Sequence, residues 1–175
     1  MKNFKKIMAG ALMLSMLFSF TACGKKIEKI DDGDLTDAME DELGWDEDDE
    51  YREHKDYEIW GTNFDDVDDP YIYDLDSHIQ GMDDSLFISY SIFDDEEEAE
   101  EYFLLYYDVW AKDNKEVPSK YSKNNYGYFI EYVKQDDAFH AYYYAEDMVL
   151  EVAAYEEDDV KDLVKFLKAI GYPVK

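Results

Sequence analysis

Three segments decide the fold: Tyr126-Gly-Tyr-Phe-Ile-Glu-Tyr-Val133, Ala138-Phe-His-Ala-Tyr-Tyr-Tyr-Ala145 and Met148-Val-Leu-Glu-Val-Ala-Ala-Tyr155. Each is rich in aromatic and β-branched residues, the side chains that fit a pleated surface. They are joined by Lys134-Gln-Asp-Asp137 and by Glu146-Asp147, polar connections of hairpin length. A two-residue turn sets Ala145 against Met148, so Tyr143 meets Leu150, Ala141 meets Val152 and Phe139 meets Ala154. A four-residue loop sets Val133 against Ala138, so Tyr132 meets Phe139, Ile130 meets Ala141 and Tyr128 meets Tyr143. Apart from Val133 with Ala138, these pairs share one face that is almost wholly apolar. Pattern and loop lengths agree on a three-stranded antiparallel meander.

The same register puts Phe129, Glu131, His140, Tyr142, Tyr144, Val149, Glu151 and Tyr155 on the other face. Glu131 falls opposite His140, and Tyr142 opposite Glu151. Left uncovered, this face is an aromatic platform with carboxylates and a titratable imidazole, suited to a cationic or amphipathic ligand. The alternative is a structural face covered by residues 57–76, since tyrosines and paired charges are ordinary on half-exposed sheets.

Upstream, Leu86, Ile88, Tyr90 and Ile92 alternate with Ser85, Phe87, Ser89 and Ser91, which predicts a strand. Asp83-Asp84 predicts a turn to a short strand at 78–82 that sets Ile79 opposite Ile88. Residues 63–76, punctuated by Pro70, read as a loop. Two amphipathic helices follow the same construction. Asp94-Asp-Glu-Glu-Glu98 opens the first, whose stripe is Ala99, Tyr102, Phe103, Tyr106 and Trp110. Glu156-Glu-Asp-Asp159 opens the second, with Val160, Leu163, Val164, Leu167 and Ile170 as its stripe and Gly171 and Pro173 at its end. The fold class is therefore α+β. An antiparallel sheet carries both helices on its greasy face, in the order ββα-βββα, after a short N-terminal helix.

Residues 31–56 hold 14 acids, with Arg52 and Lys55 as the only bases. Such a block is expected to stay solvated. Leu35, Met39 and Leu43 recur every four residues within it, predicting a helix over 36–43 capped by Thr36 and Gly44, able to dock on the domain ahead of a charged tether through about Asp56. The expected organisation is an acidic tether over 23–56 and a single α+β domain over 57–175.

The first residues have the layout of an export signal. Lys2, Lys5 and Lys6 precede about fourteen mostly apolar residues from Ile7 to Phe20, too few for a membrane span of roughly 20. Phe20-Thr21-Ala22-Cys23 closes this run with the only cysteine of the chain. It resembles the lipobox of bacterial lipoproteins, with Phe20 standing where that family usually has leucine. The resemblance implies removal of residues 1–22, lipid attachment to Cys23 and residence on the outer face of the bacterial cell membrane. Residues 78–175 are similar in layout to small envelope lipoproteins of uncharacterised function. The likeness rests on the Phe93-Asp94 step, Ala99 and Phe103, the meander, and Gly171-Tyr172, and it implies no activity.

The formal net charge is −28. Nucleic acid needs basic surface and is excluded as a natural partner. Positive partners are favoured: cations, a cationic peptide, or the basic face of an envelope protein. His54, His78 and His140 lack ligand spacing, and neither Gly33, Gly44 nor Gly81 sits in an EF-hand loop, so no metal site is assigned. Phosphate loops, nucleophile elbows and His-Glu-x-x-His are absent from the sequence, and no cofactor is implied. The expected function is a lipid-anchored extracytoplasmic binding or accessory module without catalysis. A structural or cation-buffering acidic surface protein is the alternative, and an envelope hydrolase is the third reading.

Overall fold

The computed structural model describes residues 26–47, 49–63, 66–123, 125–133 and 138–175. The signal-like stretch, Cys23 and the connection 134–137 lie outside the described residues. Among those described, the chain is α+β, with a seven-stranded antiparallel sheet and three helices. Helix α1 (Asp32–Leu43) leads into β1 (Tyr51–Asn63), β2 (Asp66–Asp83) and β3 (Leu86–Phe93). After α2 (Glu96–Trp110) come β4 (Ser119–Ser122), β5 (Tyr126–Val133), β6 (Ala138–Ala145) and β7 (Met148–Ala154), and α3 (Glu157–Ala169) closes the fold. The strands lie in the order β1-β2-β3-β7-β6-β5-β4.

The meander register is the one its loops dictate. Ala145 pairs with Met148, Tyr143 with Leu150, Tyr128 with Tyr143, and Val133 with Ala138. The β2–β3 hairpin differs by two residues from expectation: Ile79 faces Tyr90, and Ile88 faces Gly81. Its turn is Asp84-Ser85, with Asp84 in the left-handed region at φ 35, a conformation that aspartate tolerates. A slip of two keeps every side chain on its face, so the core is unchanged.

The predicted loop at 63–76 is instead most of β2. Pro70 is compatible with this because β2 pairs with β3 only as far as Leu75, and beyond it one edge of β2 carries no ladder. Nor is the acidic stretch a free tether. Helix α1 starts at Asp32, and Leu35 and Met39 are fully buried with Ile27, Trp45 and Tyr51 in the main core. The acids occupy the outer side of the helix, while the apolar residues between them meet the sheet. Gly44, left-handed at φ 72, ends α1 as its sequence suggests.

The two helices of the ββα-βββα reading do not share a face. α1 and α3 lie side by side on the first face, where Leu35, Met39, Leu163, Phe166 and Leu167 pack on Ile79, Ile88, Tyr90, Tyr143 and Val152. α2 packs on the second face, with Ala99 and Phe103 against Phe129, Tyr142, Tyr144 and Val149. Both faces of the sheet carry large apolar side chains, so both require a covering layer. With α1 filling half of the first face, α2 goes to the second. Asp95 caps it, accepting hydrogen bonds from the backbone N–H of Glu97 at 2.8 Å and of Glu98 at 3.0 Å.

Candidate ligand-binding face

The second face is organised in cross-strand rows. One row runs Met82, Phe87, Ala153, His140, Glu131 across β2, β3, β7, β6 and β5. The next runs Arg52, Gln80, Ser89, Glu151, then Tyr142 and Phe129. The third begins His54, His78, Ser91 and continues through Val149 to Tyr144. α2 covers only the β5–β7 side of the second and third rows. There Tyr106 stacks on Tyr142 at 4.7 Å, and Phe103 stacks on Tyr144 at 5.6 Å.

Three of the expected platform residues, Phe129, Tyr142 and Tyr144, are thus buried under α2 and offer no surface. Their stacking capacity is spent on Phe103, Tyr106 and one another. Glu131, His140 and Glu151 remain half-exposed, and Tyr155, just past β7, is 60% exposed. Glu131 pairs with His140 in backbone register, but the side-chain partner of His140 is Glu151, with Nε2 and Oε1 3.2 Å apart. Burial and then the Glu151 charge push the Tyr142 hydroxyl well above its ordinary pKa. Tyr142 therefore stays a neutral hydrogen-bond donor beside that carboxylate. His140, Glu151 and Tyr142 form one polar chain along the border of the covered region.

The first row lies beyond α2. Met82 is 69% exposed, Phe87 is half-buried, and Arg52 and Gln80 are exposed. Together with Asp49, Glu50 and Tyr51 they line a depression of about 310 Å³. On the third row, His54, Tyr57 and His78 form a ring stack, with Tyr57 5.0 Å from His54 and 5.1 Å from His78. His78 is buried, and its Nδ1 lies 3.0 Å from the Ser91 hydroxyl. Burial, followed by the nearby His54, lowers its pKa to about 4 against an opposing hydrogen bond with the Tyr90 backbone. Among the described residues, no three of His, Cys, Asp and Glu come together as a metal-ligand set.

The sequence reading missed Arg52, Gln80, Met82, Phe87 and Ser89 as members of this face. The signal was present in the alternation of His78, Gln80 and Met82 beside Phe87, Ser89 and Ser91, once β2 is paired with β3. Chemically, the uncovered half joins apolar Met82 and Phe87 to the carboxylates Asp49, Glu50, Glu131 and Glu151. Arg52 stands among the residues that line the depression, so its rim carries both signs of charge. No protein-family model, curated protein or solved structure matches the chain.

Proposed function

We propose that the chain is a lipid-anchored extracytoplasmic binding or accessory module, acting without catalysis, whose ligand lies on the uncovered half of the second face. The ligand class is a cationic peptide or the basic face of an envelope protein. The observation that carries the reading is the partition of this face: α2 buries the rows from Tyr73, Leu75 and Phe93 to Tyr142 and Tyr144, while Met82, Phe87, His140 and Glu131 of the far row keep exposed surface beside carboxylates, with Ala153 buried between them. Anchoring at Cys23, on the outer face of the bacterial cell membrane, is supported by the Phe20-Thr21-Ala22-Cys23 layout.

Site-specific photo-crosslinking in the native envelope tests it. A photoreactive residue replaces Ser89 on the open half in one variant and Lys161 on α3 in another. A discrete adduct from position 89 alone supports the reading. Equal, diffuse labelling from both positions contradicts it.

The net charge of −28 favours a second reading, an acidic surface protein that buffers cations. It requires a calcium-dependent rise in melting temperature that magnesium and matched salt do not reproduce.

A further inference from the structure

We infer that the depression beside Met82 takes the C-terminal end of the cationic peptide, with the terminal carboxylate on Arg52 and the last, apolar side chain on Met82 and Phe87. This rests on the ligand class proposed above and adds which end of that ligand is held, and by what. Arg52 is the only arginine of the chain and lies in the run of 14 acids from 31 to 56. Lys29, Lys55, Lys112, Lys161 and Lys165 each pair with a carboxylate. Arg52, by contrast, makes no ion pair and no side-chain hydrogen bond among the described residues. Its neighbours in sequence are engaged elsewhere. Strand alternation sends Glu53 to the first face, where it meets Lys55 at 2.7 Å, and Glu50 Oε2 accepts the backbone N–H of Asp46 at 2.8 Å.

Arg52 pairs across the strands with Gln80, and Gln80 with Ser89, so three donors stand in one row. The guanidinium fork matches a carboxylate through two parallel hydrogen bonds, with the Gln80 amide beside it. The next row holds Met82 and Phe87, two residues away along the strands, a rise of about 6.8 Å. The last residue of a peptide carries its carboxylate and its side chain on one Cα, so a leucine-sized residue covers both rows. The depression, about 310 Å³, has room for one or two residues. Charge selects which carboxylates enter. Asp49 and Glu50 stand on the rim of a chain with net charge −28, so a simple anion is repelled. A carboxylate is admitted when its own chain brings positive charge. Glu151 lies three strands from Arg52 in the same row, about 14 Å away, the reach of roughly four extended residues. Basic side chains three or four positions before the terminus therefore meet Glu151 while the terminus sits on Arg52.

Isothermal titration calorimetry on the full-length protein in a neutral detergent tests this, with acetyl-Lys-Lys-Ser-Ser-Leu as the probe in its free-acid and C-terminal amide forms. The free acid is expected to bind about tenfold tighter or more, the worth of one charge-assisted pair, although the amide carries more positive charge. Arg52→Gln is expected to abolish that preference. Lys161→Gln, the same charge change on α3, is expected to retain it. Equal affinity of the two forms for the unaltered protein overturns capture of the terminus and leaves the cationic-peptide reading in place. Binding of neither form at millimolar concentration overturns both.

Discussion

The hydroxyl of Tyr172, three residues before Lys175, donates a 2.8 Å hydrogen bond to the backbone carbonyl of Glu28, 144 residues earlier. Tyr143 does the same for the carbonyl of Pro173 at 2.6 Å. These bonds close the fold by fastening both terminal segments to the first face, where main-chain carbonyls would otherwise be left without partners. Tyr172→Phe keeps the ring and removes the donor. It is expected to cost about 0.5–1.5 kcal/mol, the net worth of one hydrogen bond, since Glu28 is exposed and water can replace the donor. Urea unfolding of the variant against the parent measures it.

His78 makes stability depend on pH. Its folded-state pKa of about 4 lies below the ordinary 6.5, so the unfolded chain takes up the proton first as pH falls. The buried neutral ring contributes fully above pH 6.5, and that contribution is lost as pH drops towards 4, roughly 3 kcal/mol in all. The comparison is with His78→Gln, which removes this one group and leaves every other titratable side chain in place. The variant is expected to lose the part of the pH slope between 6.5 and 5, in unfolding curves collected at closely spaced pH values.

Trp45 decides whether residues 26–56 belong to the domain. Its indole lies so close to Gly81 that a Cβ there would collide with it. Trp45→Ala is expected to destabilise the whole protein by about 3–5 kcal/mol, as for other buried aromatic truncations. A tether residue would give no measurable change in the same denaturation experiment.

Gly127 reports on the seat of α2. A Cβ on this glycine would stand 2.6 Å and 2.8 Å from two ring atoms of Phe103. Gly127→Ala is expected to cost about 1–3 kcal/mol through overpacking. Adding Phe103→Leu should recover part of that loss in a double-mutant cycle. Were α2 on the first face, the alanine would be harmless and the cycle would show no coupling.

Local pattern made the meander legible. Two short connections and a period of two left one register for β5, β6 and β7, and the structure adopts it. The side of the sheet chosen by α2 was not legible, because its stripe of Ala99, Phe103 and Tyr106 fits any apolar face. The choice depends on α1 occupying the first face; the helix itself is legible in the spacing of Leu35, Met39 and Leu43, but the face it docks on is not. Leu35, Met39 and Trp45 are three apolar residues in a run of carboxylates, and their burial is a tertiary fact. The candidate site followed the same division. Glu131, His140, Glu151 and Tyr155 are assigned to this face by the meander register alone. Arg52, Gln80 and Met82 needed the pairing of β1 and β2, whose length conceals itself in residues that look like loop.

Hydroxyl-radical footprinting tests the central claim most directly, comparing purified mature protein with the same protein on intact cells. Met82, Phe87, His140 and Tyr155 are expected to oxidise readily in the purified protein and to be protected on cells, while Trp110 at the end of α2 is unchanged. Equal oxidation of all five in both settings would contradict a ligand on the uncovered half of the sheet.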